Sequence, residues 1–190
     1  MRILSIVLAF VAFGVGVVFF YARYDRYQQN QRIEAQNVRK ADSNKLVKAI
    51  NGLDSRSRDC SDWFVGLTTG QYAEASTTDN VALSFSETCA SSMVTRADEL
   101  GALISRLADK DPEPGRASLL AESKALAEVY RSQSDDFDKA YTLMIQASGP
   151  SARASLAPQV AQLINRAIPA INRSLSALED ARKSYIYPES

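Results

Sequence analysis

The sequence predicts an all-α protein: a single N-terminal transmembrane helix, a helical stalk and an antiparallel up-down-up-down four-helix bundle. Three observations lead there. An uncharged apolar run opens the chain, apolar residues then recur at alternating steps of four and three through four long segments, and polar stretches carrying glycine or proline separate those segments. No alternating strand pattern competes with them.

The opening segment, "MRILSIVLAFVAFGVGVVFFYARYDRY", holds 19 uncharged residues from Ile3 to Tyr21. At helical rise these span about 28 Å, close to the hydrocarbon thickness of a bilayer. A cleavable signal peptide would need a shorter apolar stretch and small residues at a cutting site. The best such site, Gly14-Val15-Gly16, would leave Val17-Val18-Phe19-Phe20-Tyr21 exposed at a new terminus. Retention is the better reading, with residues 3–21 in the lipid bilayer and residues 1–22 as a signal-anchor. Phe19, Phe20, Tyr21, Tyr24 and Tyr27 suit the belt of amphipathic rings where a helix leaves the membrane.

Residues 23–42 follow as a juxtamembrane stalk, too polar for a core, and residues 43–187 form the bundle. The first bundle seam runs Leu46, Ile50, Leu53, Ser57, Cys60, Phe64 and Leu67, a coiled-coil type of spacing. Gly70 ends this helix, and "TTGQYAEASTTDN" connects it to a second, for which Thr77, Thr78 and Asp79 are candidate N-caps. The second seam runs Ala82, Ser86, Cys89, Met93, Arg96, Leu100, Leu103 and Leu107. "DKDPEPGR", residues 109–116, cannot continue a helix and reads as a turn. A third seam covers Leu119, Ser123, Leu126, Tyr130, Gln133, Phe137, Ala140 and Met144, ending at Gly149-Pro150. The fourth covers Ile164, Ile168, Ile171, Leu175, Leu178, Arg182 and Tyr185, with Ser155 as cap, Pro158 near the first turn and Pro169 as an internal kink. In this topology the 68–80 loop and the Gly149-Pro150 turn lie at the tip far from the membrane.

The two cysteines, Cys60 and Cys89, sit in no zinc spacing, and "SRDC" is no lipidation box. Folding the first hairpin about the middle of its loop places both on inward seams at the same height, where a disulfide between neighbouring helices must lie. The alternative is two buried reduced cysteines packed as small apolar residues; the bridged reading is favoured and implies an oxidising compartment. Orientation signals otherwise disagree. Five basic residues after the span, Arg23, Arg26, Arg32, Arg39 and Lys40, favour a cytoplasmic body, whereas the two-residue tail before it favours a cytoplasmic N-terminus. With the cysteines as tiebreaker, the expectation is a single-pass protein of a bacterial inner membrane with its C-terminal domain in the periplasm.

Composition narrows the chemistry. Lysine plus arginine and aspartate plus glutamate each total 22, so no net field attracts nucleic acid. Histidine is absent from the 190 residues, which removes serine-histidine, cysteine-histidine and histidine-zinc sites. No catalytic, cofactor or metal site is expected; "SDDFDK" reads as a solvated acidic face because only Asp135 and Asp138 share a side. Glu128 and Arg131 are spaced for a surface pair.

Two features suggest binding. Trp63, beside the first seam, and Tyr72, in the tip loop, are candidate partner-binding residues. Arg96 and Arg182 interrupt seams and either line a polar or anionic ligand pocket or, the favoured reading, extend their head groups to the edge of the core. The favoured function is a non-enzymatic, membrane-anchored envelope protein whose bundle docks onto another envelope protein; the sequence also permits a homo-oligomer. The alternative is a periplasmic small-molecule-binding module. One span leading into a four-helix periplasmic bundle resembles, in architecture alone, the sensing portion of bacterial chemoreceptors and sensor kinases. With no second span and no cytoplasmic output, such a module would signal through a partner.

Overall fold

The computed structural model describes the backbone of residues 2–71 and 76–188 and the side chains of residues 23–71 and 82–188. The chain is all-α, and no strand occurs among the described residues. Among the described residues six helices follow in order: α1 (Arg2–Thr69), α2 (Ser76–Ala108), α3 (Arg116–Gln146), α4 (Pro150–Ser155), α5 (Ala157–Asn165) and α6 (Ile168–Ile186). Contacts divide the chain into two compact units, Met1–Ala41 and Asp42–Ser190. In the first, residues 23–34 are helical and solvent-exposed, and Gln31 Nε2 donates to Tyr27 Oη one turn away at 3.1 Å. No helix among the described residues is long and apolar enough to cross a membrane. The expected span, residues 3–21, lies outside the residues whose side chains are described, as do the candidate caps Thr77, Thr78 and Asp79.

The second unit holds the core. Every position of the first seam, from Leu46 to Leu67, is buried, and so is every position of the third, from Leu119 to Met144. Full burial of each large apolar side chain is worth about 1.5–3 kcal/mol, so these two stripes dominate the packing. Phe64 and Phe137 stack across them with ring centroids 5.8 Å apart.

Named contacts give the helix directions. Cys60 meets Cys89, Arg56 meets Ser92 and Trp63 meets Phe85, so α1 and α2 run antiparallel. Asp54 meets Tyr130, Ser57 meets Gln133 and Phe64 meets Phe137, so α1 and α3 run parallel. Arg116 reaches Tyr185, and Arg166, just past α5, reaches Asp136, so the last segments run against α3.

Glycines end or begin helices where the sequence placed breaks. Gly70 takes a left-handed φ of 74°, and Gln71 N–H donates to the Gly66 carbonyl at 3.1 Å, closing the end of α1. Gly115 (φ 75°) opens α3 so close to the last turn of α6 that a Cβ there would lie 3.0 Å from Tyr185 Cα. Only glycine fits that contact without strain.

Two expectations are corrected. The fourth long helix is three shorter ones: Pro158 and Pro169 each stand in the first turn of a new helix, where a missing N–H costs nothing, so Pro169 starts α6 rather than kinking a longer helix. Ser155 accordingly ends α4, donating to the Ala152 carbonyl, and caps nothing downstream. The second seam is buried at Ala82, Ser86, Cys89, Met93, Leu100 and Leu107, with Leu103 partly buried, and departs at Arg96, which is exposed while Ala97 is buried in its place.

Asp42 is buried beside Lys110 (2.5 Å) and Lys45 (3.2 Å). Burial is the largest single influence and raises its pKa, but the hydrogen bonds and charges of the two lysines together outweigh it, leaving the carboxyl below its ordinary value. A depressed carboxylate contributes stability that is present above its unfolded pKa of about 4 and is lost as pH falls through the lower folded value. Asp42→Asn should therefore lose about 1–3 kcal/mol near pH 7 and show a shallower acid-side loss of stability than the parent, read by chemical denaturation across pH 2–7. For the core, Phe64→Ala should cost about 3–5 kcal/mol, whereas exposed Ile168→Ala should stay within about 0.5 kcal/mol.

Candidate functional site

The described functional features lie mostly on the face where α1 meets α2. Both helices bring a cysteine to that junction on a buried seam: Cys60 and Cys89 are fully buried, their sulfurs stand at disulfide-bonding distance, and their Cα atoms are 5.7 Å apart. The separation of 29 residues gives a closed loop worth about 3–4 kcal/mol in the chain-entropy account.

One turn beyond the cysteines along each helix, Trp63 and Phe85 stack with centroids 4.9 Å apart and planes 13° from parallel. Trp63 is half-buried while Phe85 is 46% exposed, so the pair closes the core and presents an aromatic edge to solvent. Tyr72 lies outside the described residues. Phe85 is the residue that sequence reasoning missed. It falls off the seam by one position, and only the α1–α2 register shows that it faces Trp63.

The two seam arginines are far apart. Arg96 is exposed, with its guanidinium lying over α1 at Gly52, where a Cβ would come within 3.2 Å of Nη1. Arg182 donates from Nε to Ser43 Oγ at 2.9 Å and pairs with Glu179 at 3.3 Å. Gly52 and Ser43 are nine residues apart on α1, about 13 Å along its axis. Arg96 and Arg182 thus extend to two separate edges and do not face each other across one pocket.

Buried polar groups are satisfied within the core. Ser57 Oγ donates to Gln133 Oε1 at 2.8 Å, and Tyr130 Oη donates to Asp54 Oδ1 at 3.1 Å. Burial first, then the Asp54 charge, pushes the Tyr130 phenol well above its ordinary pKa and keeps it a donor. Buried Ser86 and Ser123 donate to the carbonyls of Ala82 and Leu119, so neither is set against a base. Arg116, also buried, donates to Tyr185 Oη and to the Asp111 carbonyl and pairs with Glu113, tying the 109–116 turn to the end of α6.

The acidic run is corrected at one position. Asp135 and Asp138 are exposed as expected, but Asp136 is only 1% exposed and pairs with Arg166, with Lys139 one turn away. Its partner lies 30 residues on, past a helix break, and no local signal announces it. Arg131 pairs with Glu128 at 2.6 Å and also with Asp98 on α2 at 2.5 Å. Among the described residues no group of three or more acidic or cysteine side chains is arranged to hold a metal ion.

Compared with protein-family models, curated proteins and solved structures, the chain matches none. Its own geometry is what a functional reading can rest on. Replacing both cysteines with alanine should lower stability by about 3–4 kcal/mol, and reductant should lower the melting temperature of the parent while leaving that of the double variant unchanged. The check is thermal unfolding followed by circular dichroism, with and without reductant.

Proposed function

We propose that this chain is a non-enzymatic, membrane-anchored envelope protein whose extracytoplasmic, up-down-up-down four-helix bundle docks onto another protein. In this reading residues 3–21 hold it in a bacterial inner membrane, residues 23–42 act as a spacer, and the body works in the periplasm as an accessory or scaffold. The observation that carries the docking role is the Trp63–Phe85 stack, an aromatic edge left partly open where α1 and α2 meet. Aromatic residues give large contact area at small conformational cost, which is why they anchor interfaces. Support for export comes from the cysteine pair at disulfide-bonding distance. Support for the bundle comes from antiparallel α1–α2, parallel α1–α3 and the return of α6 along α3.

A small-molecule sensor is the weaker reading. Its candidate ligand arginines, Arg96 and Arg182, sit at separate edges of the core, and the latter is engaged by Ser43 and Glu179.

A photo-crosslinking residue placed at Phe85 in cells should capture one dominant envelope partner, reproducibly and under native expression. The same residue placed at Lys124, on the exposed flank of α3, should capture only scattered neighbours. An equally scattered pattern from both positions would remove the docking role.

A further inference from the structure

Residues 23–41 are an unbroken, largely solvent-exposed stretch of α1. Tyr24, Tyr27 and Val38 stand 53%, 59% and 45% exposed there, large apolar side chains that no core covers. Together with Gln31, Glu34 and Ala41 they recur at alternating steps of three and four, so the six lie along one side of the helix. Exposed Ile33 lies on the other side. Gln31 Nε2 donates to Tyr27 Oη at 3.1 Å, which ties the amide and the phenol together within the stripe.

Charge is sorted around this stripe. Written as a heptad with Tyr24 at a and Tyr27 at d, Arg26, Arg32, Arg39 and Lys40 all take positions b and c, on the far side of the helix. The positions that flank the seam after Arg23 are uncharged: Gln28 and Ala35 at e, Asn30 and Asn37 at g. A stalk that meets a copy of itself sets e against g of its partner, where like charges repel and neutral side chains do not. An acidic partner would instead be met by basic flanks, and after Arg23 none stands there. The stretch carries five basic residues and two acidic ones, so this sorting is what lets two such helices approach.

We infer that two copies of this chain pair through residues 24–41 as a parallel coiled coil, with Tyr24, Tyr27, Gln31 and Val38 of each copy in the seam. The seam is about two and a half heptads long, Gln31 adds a polar layer, and Glu34 brings two carboxylates near each other, so pairing in free solution is weak. Anchoring residues 3–21 in one bilayer offsets that weakness. Every copy then points the same way and starts at the same height, and confinement to a plane raises the effective concentration. The inference rests on the membrane anchoring proposed above and is independent of the docking role of Trp63 and Phe85.

The test is a cysteine scan of the full chain in native membranes, oxidised with copper-phenanthroline and resolved without reductant. Single cysteines at Tyr27, Gln31 and Val38 should give a species of twice the chain mass, at a yield at least fivefold above cysteines at Gln29, Ile33 and Gln36. The parent without an added cysteine is the blank. The yield should persist when expression is lowered tenfold, which separates pairing from random collision. In the Gln31→Cys chain, Glu34→Leu should raise the yield, and Tyr24→Glu with Val38→Glu should lower it at least fivefold.

Equal yields on the two sides, no dimer at any position, a yield that falls with expression, or adducts of another mass would overturn the pairing. An alkaline wash of the same membranes reads the anchor separately. Retention of the parent with no dimer would leave the anchor standing and discard the pairing alone. Release of the parent would remove the anchor, and with it the common height and direction that the pairing requires.

Discussion

The contact between α1 and α2 at Cys60 and Cys89 sets the register on which the functional face depends. The residues around it keep the same register on both sides: Gly52 lies against Arg96, Arg56 against Ser92 and Trp63 against Phe85. A slide by one residue would rotate each partner about 100° and separate the aromatic stack. Linking the two helices at a buried seam opposes that slide through both local geometry and the restricted unfolded chain. The aromatic edge and the crossing of Arg56 to Ser92 are therefore consequences of one interhelical register.

Core chemistry supports that register from behind. Ser57 and Asp54 face α3 and are satisfied by Gln133 and Tyr130, two hydrogen bonds that only a parallel α1–α3 pairing at this height can make. Removing one partner from such a buried pair leaves a polar atom without compensation, which costs more than the bond itself contributes. The same logic applies at the other end, where buried Arg116 joins the 109–116 turn to Tyr185. Specificity of arrangement comes from these polar pairs, while most of the stabilisation comes from the apolar seams around them.

Much of this was legible in the sequence, for a physical reason. The first and third seams keep an unbroken four-three spacing, and a stripe of that period on a long helix has one way to be buried. The antiparallel meeting of Cys60 and Cys89 followed from the same spacing. The second seam was legible except at Arg96, which stands where the period would place an apolar residue; Ala97 takes its place in the core before Leu100 and Leu107 resume the stripe. In the last segment Pro169 permits either a kink or a fresh start, and the sequence does not rank the two. Asp136 and Phe85 escaped notice because their partners, Arg166 and Trp63, are set by tertiary register and carry no local signature.

An exported body whose first two helices are cross-linked is the central claim, and cysteine state in native membranes tests it most directly. Membranes are quenched in acid, denatured, and treated with a mass-tagging maleimide before and after reduction. The account predicts no labelling of Cys60 or Cys89 before reduction and two tags per chain after it. Two tags without reduction would contradict it: the thiols would be free, and the basic residues Arg23, Arg26, Arg32, Arg39 and Lys40 would then favour a body on the cytoplasmic side.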